Sequence, residues 1–284
     1  MKFSILIILI SLFIISSCSQ YGYRQDTYLT ERLETVSEII LSFKPAKVIW
    51  ANFERTLFVS DSKTSLIYIY KDNQQVNAVG GPGFGVDNFN RLTDIAVSPH
   101  GKLLALDSFQ KQIKQFDNNG KWLENHTIVG VQEPYLFDVG RDGTLYVYDK
   151  AYNEIVMIDE QLKEVLQRFG KFYFDNPVSV RTSNQMVIVY DEGKDQTFIF
   201  DSYGRLEKDL SGYWQVDRYN KRYLLQKGKI LIDVNRDEQK ILTPQTIDSF
   251  TVKENYLYQT VGNRVIVTEI VYKRFNLNEV PIDW

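Results

Sequence analysis

Four aspartates divide the middle of this chain into nearly equal lengths. Asp61, Asp107, Asp149 and Asp191 stand 46, 42 and 42 residues apart, and each closes a short run of β-type residues. The runs include Leu57-Phe58-Val59-Ser60-Asp61, Leu145-Tyr146-Val147-Tyr148-Asp149 and Met186-Val187-Ile188-Val189-Tyr190-Asp191. β-Branched and aromatic residues in short runs between turn signals describe strands. Recurrence at a fixed period describes one supersecondary unit repeated. No long stretch carries the 3.6-residue apolar period of a helix. The chain is therefore expected to be all-β.

The fullest unit runs from Phe89-Asn90-Arg91-Leu92-Thr93-Asp94-Ile95-Ala96-Val97 through the turn Ser98-Pro99-His100-Gly101 to Leu103-Leu104-Ala105-Leu106-Asp107, then to Gln112 and the turn Asp117-Asn118-Asn119-Gly120. Residues 134–149 and 177–191 follow the same plan, and Phe200-Asp201-Ser202-Tyr203-Gly204 repeats the later turn, with Gly supplying the positive φ such turns need. This pattern resembles an NHL repeat, and Gly80-Gly81-Pro82-Gly83-Phe84-Gly85 resembles the glycine-rich link between its blades. A period of this size is that of a four-stranded propeller blade. The resemblance covers about 80–204 and fades beyond 210, where the hairpins at 223–234 and 256–271 carry no closing Asp. Second strands near 57, 103, 145, 187, 223 and 256 give six blades, and the degraded last third leaves five and seven open. Closure is expected from Ser37 to Phe43, lying as an outer strand beside the C-terminal hairpin and so removing an exposed sheet edge.

The N-terminus carries an address. Met1 and Lys2 precede an almost unbroken apolar run, Phe3 to Ile15, the length of a signal-peptide core and too short to span a bilayer. Ile15-Ser16-Ser17-Cys18 resembles the lipobox of bacterial lipoproteins. That resemblance implies cleavage before Cys18 and acylation of its thiol and amine by chains such as palmitate, enough to hold a protein on a membrane. The organisation read here is a signal peptide over 1–17, acylated Cys18 and a tether over 18–36, and a propeller over 37–284. Ser19 is not the Asp that retains lipoproteins at the inner membrane, so the resemblance points to the outer membrane of the cell envelope.

Cys18 is the only cysteine, so no disulfide staples the body. A net charge of −3 with both signs scattered argues against a nucleic-acid surface. Two histidines in the whole chain, His100 and His126, are too few for the zinc site of NHL-type lyases. No Gly-x-Ser-x-Gly elbow is present, and Gly80 to Gly85 lacks the Lys-Ser/Thr of a phosphate loop. No catalytic residue, metal ligand set or cofactor is assigned.

Inner strands of a propeller line its channel. With Ile95 and Val97 between sheets, Asp94 and Ala96 are expected to face the channel, followed by Asp138 and Gly140, then Ser179 and Arg181. Asp94, Asp138, Ser179 and Arg181 form the candidate mouth. Asp61, Asp107, Asp149 and Asp191, one per blade, read as turn-closing side chains that accept backbone N–H bonds. The expected function is a non-enzymatic scaffold, lipid-anchored to the envelope, that binds a protein or peptide partner through aromatic loops at Phe169 to Phe174 and Tyr213-Trp214. The alternative is a lactonase- or lyase-type six-bladed enzyme acting on a small polar substrate, with a divalent cation held by Asp94 and Asp138.

Overall fold

The computed structural model describes residues 27–51, 55–159, 161, 163–235, 238–241 and 247–275; Cys18 and the signal segment lie outside them. The chain divides into two compact units. One is Arg32–Val271; the other pairs Met1–Glu31 with Tyr272–Trp284, of which the strand segments 27–31 and 272–275 are described.

Arg32–Val271 holds six four-stranded antiparallel sheets, the blades of a β-propeller. Blade 1 runs from inner strand Lys47–Ala51 to outer strand Gln74–Gly80, and blade 2 from Leu92–Val97 to Trp122–Thr127. Blade 3 runs from Pro134–Val139 to Val165–Phe169, blade 4 from Pro177–Ser183 to Leu206–Ser211, and blade 5 from Tyr213–Val216 to Glu238–Ile241. Blade 6 takes Ser249–Lys253, Tyr256–Val261 and Arg264–Phe275 from the C-terminal end and its outermost strand, Thr27–Ile40, from the N-terminal end. This joins N-terminal and C-terminal strands in one sheet, with Thr27–Ile40 as its outer edge. Just past the strand, the Leu41 N–H donates to Asn263 O at 2.8 Å.

The closing strand lies where the sequence places it but begins ten residues earlier, at Thr27 instead of Ser37. The stretch assigned to a tether is therefore strand from Thr27 onward. The reason is the partner: Arg264–Phe275 is 12 residues long, and a long edge accepts a long strand. The tether expectation for 18–26 falls outside the described residues.

Each blade buries both faces against its neighbours. Ile95, Leu103 and Ala105 of blade 2 pack with Phe58, Ile67 and Ile69 of blade 1. Ala96, Leu104 and Leu106 pack with Phe137, Val147 and Val156 of blade 3. A strand's side chains alternate between its two faces, so both sets belong to interfaces between blades. The register places Ala96 opposite Leu104, Asp138 opposite Tyr146 and Arg181 opposite Ile188. Asp138 is thus the equivalent of Ala96, two residues further along than the Asp94 match read from the sequence. The parity is unaffected, but Ala96, expected in the channel, instead packs with Phe137 and Val147 between blades 2 and 3.

Antiparallel connection fixes what each end of the propeller carries. One face bears the starts of the inner strands, the turns between second and third strands, and the linkers from blade to blade. Their proximity is seen in backbone bonds from Ser108 to Arg91, Lys150 to Glu133 and Glu192 to Asn176, each 2.9–3.0 Å. This is called the linker face. The opposite, turn face bears the remaining hairpins, including Asp117–Gly120 and Asp201–Gly204. Gly120 adopts φ +85°, and a Cβ there would lie 2.5 Å from Val79 and 2.7 Å from Ile69, so only glycine lets blades 1 and 2 close.

Candidate functional site

The channel is plugged by charge pairs. Lys47, at the start of the blade 1 inner strand, places Nζ 2.8 Å from Asp94 Oδ1 in blade 2. Asp94 also accepts the Ile95 N–H at 2.8 Å and, through Oδ2, the Phe137 N–H of blade 3 at 3.1 Å. Asp138 repeats the device one blade on. Its Oδ2 accepts the Thr182 N–H of blade 4 at 2.8 Å, and Lys253 of blade 6 meets both its oxygens at 2.9 and 3.2 Å. Blades 3 and 6 are opposite in a ring of six, so the Lys253–Asp138 pair crosses the axis. Both aspartates are 1% exposed.

Burial shapes these charges. For Asp138, desolvation alone would raise the pKa. The positive charges of Lys253 and Arg181, with the bonds from Lys253 and Thr182, overcome it and hold the carboxyl below its ordinary range. Lys47 is pushed below the usual lysine range by burial first and by Arg181 second, with the Asp94 charge opposing both.

Two cavities lie at the ends of the channel. On the turn face, one of about 670 Å³ is lined by Trp50, Val97, Arg141, Thr182, Lys253, Glu254 and Tyr258, among others. The Arg141 guanidinium pairs there with Glu254 at 2.6 and 3.0 Å, again joining blades 3 and 6. On the linker face, one of about 390 Å³ is lined by Lys47, Ser179, Arg181, Tyr190, Tyr213 and Phe250, with Glu192, Asp195 and Asp248 among its acidic members. The expected mouth is therefore split. Ser179 and Arg181 line the linker-face cavity, whereas Asp94 and Asp138 line neither cavity and sit buried beneath. Lys47 and Lys253, which complete both carboxylates, were not singled out in the sequence. The available signal was a charge next to a buried apolar run, as in Lys47-Val48-Ile49-Trp50, but 206 residues of sequence separate the two lysines.

The four periodic aspartates are buried and bind backbone. Asp107 accepts N–H groups from Asn90, Arg91, Phe109 and Gln110 at 2.8–3.3 Å. Asp149 accepts from Gln132, Glu133 and Ala151, and Asp191 from Asp175, Asn176 and Lys194. Asp61 holds its own turn, through the Lys63 N–H and Thr64 hydroxyl. In blades 2 to 4 the carboxylate thus latches the incoming linker to the turn beside it. Lys114, fully buried, anchors the glycine-rich link by donating to Gly85 O and Asn88 O.

The linker face also carries most of the exposed large apolar loop residues. Phe84, Val86, Phe109, Tyr152, Phe172 and Tyr173 all lie on its linkers and turns, with Phe172 90% and Phe84 80% exposed; among the described loops of the turn face, Tyr203 is the counterpart. The loop from Gly170 explains the most exposed of them. Tyr173 N–H bonds back to Gly170 O at 2.9 Å, and Phe174 is buried against Tyr148, Phe198 and Phe200, which turns Phe172 outward. The aromatic anchors expected from sequence divide accordingly. Phe172 and Tyr173 are presented, but Phe169, Phe174 and Trp214 belong to the core. Trp214 faces inward because its strand is innermost in blade 5, and its indole N–H is spent on Ser211 O at 2.7 Å.

No protein-family model matches the chain, and no curated protein matches it. Solved structures do. A gluconolactonase from Xanthomonas campestris aligns with a TM-score of 0.58 at 16% identity, covering 90% of this chain and 93% of that one. A virginiamycin B lyase from Staphylococcus aureus aligns with a TM-score of 0.57 at 10% identity, over 84% of this chain and 100% of that one. The Cps50 (Swd1) propeller domain of Myceliophteria thermophila gives 0.56 at 9% identity, over 84% and 100%. At these identities the likeness establishes the fold. This chain is a six-bladed β-propeller.

Proposed function

We propose that this propeller is a non-enzymatic binding module of NHL type, held on the bacterial envelope, most simply its outer membrane, by acylated Cys18, and that it docks a protein or peptide partner on its linker face. The observation that carries the reading is the concentration of exposed Phe84, Phe109, Tyr152, Phe172 and Tyr173 on one face. Exposed aromatic side chains gathered on one face of a protein are enriched at interaction surfaces. A rigid ring of blades presents them on loops that are free to vary.

The alternative, a cation-dependent enzyme like the lactonase and lyase neighbours, asks for ligands that converge on one point. Among the described residues no three His, Cys, Asp or Glu side chains are so grouped. Asp94 and Asp138, the carboxylates such a site would use, are instead taken up by Lys47, Lys253 and backbone N–H groups.

Crosslinking the full chain in its native envelope, followed by pull-down and mass spectrometry, tests the reading. A stoichiometric protein partner supports it, and a partnerless monomer overturns it. The same spectra examine the anchor: an N-terminal peptide beginning at Cys18 and carrying acyl mass supports lipidation, and an unmodified Cys18 overturns it.

A further inference from the structure

Among the described residues, one buried cation of the channel forms no direct ion pair, and its charge reaches Asp138 only at longer range. Lys47 pairs with Asp94 and Lys253 with Asp138. Arg181 is 3% exposed, yet its guanidinium makes a single hydrogen bond, from Nη1 to the adjacent Val180 O at 2.8 Å, and its Nε has no partner. In blade 5 the inner-strand residue facing the same way, Gln215, is 1% exposed and likewise leaves both amide atoms unpaired. A guanidinium offers five donors in a planar fork that matches two-oxygen anions. Burying the Nε without a partner is costly, and such exceptions call for a completing group.

The cavity around Arg181 specifies that group. Lys47 adds a second positive charge to its lining, and Tyr190, Tyr213 and Phe250 form an aromatic wall of mutually tilted rings, with centroids 4.6 and 5.2 Å apart. Glu192, Asp195 and Asp248 supply negative charge in the same cavity. Asp195 accepts the Tyr190 hydroxyl and Asp248 the Gly262 N–H, which fixes both carboxylates in place. A multiply charged phosphate would be repelled by three carboxylates, whereas a single carboxylate attached to a cationic body satisfies both sets of charges. Aromatic faces favour that cation as well.

We propose that the linker-face cavity is a receptor for a zwitterion, an amino acid or a peptide terminus, whose carboxylate is held by Arg181 and whose cationic part lies toward Glu192, Asp195 and Asp248. This deepens the binding-module reading, on which it rests, by giving the chemistry that the linker face recognises.

The test is calorimetric titration of the chain, lacking its lipid anchor, with glycyl-lysine, its C-terminal amide, free lysine and inorganic phosphate. Glycyl-lysine should bind at least about tenfold more tightly than the amide and than phosphate, and Arg181→Gln should remove that margin. Tighter binding of the dipeptide than of free lysine assigns a peptide terminus, and the reverse order a free amino acid. Arg181 makes one main-chain bond and acts on Asp138 only through its charge, so Arg181→Gln should melt within a few degrees of the parent. A melting point several degrees lower would make Arg181 a structural residue and overturn the proposal, as would equal affinity for acid and amide. The acid–amide comparison needs no variant, so it stands if Arg181→Gln fails to fold. A partner still captured by Arg181→Gln in the envelope pull-down would leave the docking reading intact while removing this one.

Discussion

Blades 2 to 4 and blades 5 and 6 build the same four-stranded sheet but tie its linker-face end differently. In blades 2 to 4 the second and third strands are joined across four residues, as between the paired Asp107 and Gln112, Asp149 and Glu154, and Asp191 and Gln196. A turn of that length leaves backbone donors to satisfy, and the buried Asp collects them together with those of the linker. In blades 5 and 6 the pairing continues to Gln226↔Lys229 and Val261↔Arg264, leaving only a two-residue turn with Gly228 or Gly262. The hairpin closes on itself, and no carboxylate is needed at its base. Blade 6 even reverses the latch: Asp248, in the linker, accepts the Gly262 N–H of the turn at 2.7 Å. The missing aspartates of the last third therefore mark a change of turn, and the blade itself is retained.

Removing a latch is the strongest way to break this comparison. Asp107→Ala strands four backbone donors at a fully buried position and is expected to cost about 3 kcal/mol in urea unfolding, with Asp149→Ala close behind. A loss under about 1 kcal/mol would mean that water replaces the carboxylate and that the latch is not structural. Gly120→Ala is next. It forces a Cβ into Val79 at a φ of +85°, for an expected loss of about 2 kcal/mol. Asp248→Ala removes one bond at an exposed site, so about 1 kcal/mol or less is expected. Gln226→Asp, which transplants the latch residue into a two-residue turn, should change stability by no more than about 0.5 kcal/mol.

The channel pairs respond to acid with a defined sign. The folded pKa of Asp138 lies below its unfolded value, so its contribution is present above the ordinary Asp pKa of about 3.9 and is lost as pH falls through the folded value. Asp138→Asn should be less stable than the parent at neutral pH and should lose less stability than the parent on acidification. Parallel pH–stability curves for the two proteins would place the Asp138 charge outside the folding balance.

The strands were legible where local chemistry repeats. Period, strand composition and turn glycines gave the six blades, their second strands and the exchange of the N-terminal strand into blade 6. What the sequence hid is what depends on distant partners. Lys253 and Asp138 meet across the axis from opposite blades, and no local pattern announces that contact. The two-residue offset between Asp94 and Asp138 followed from matching Asp to Asp, whereas the turns show that Ser98 corresponds to Gly140: each donates its N–H across an equivalent hairpin, to Lys102 and Thr144. Phe174 and Phe172 look alike in sequence, and only the fold of the Gly170 loop sends one inward and the other out.

The central claim, that the linker face docks a partner, is tested most directly by a photo-crosslinking residue placed in the native envelope at Phe172 and, separately, at Tyr203 on the turn face. The expected result is a discrete covalent adduct with one protein from position 172 and none from position 203. An adduct from position 203 alone, or equal diffuse labelling from both, would contradict it.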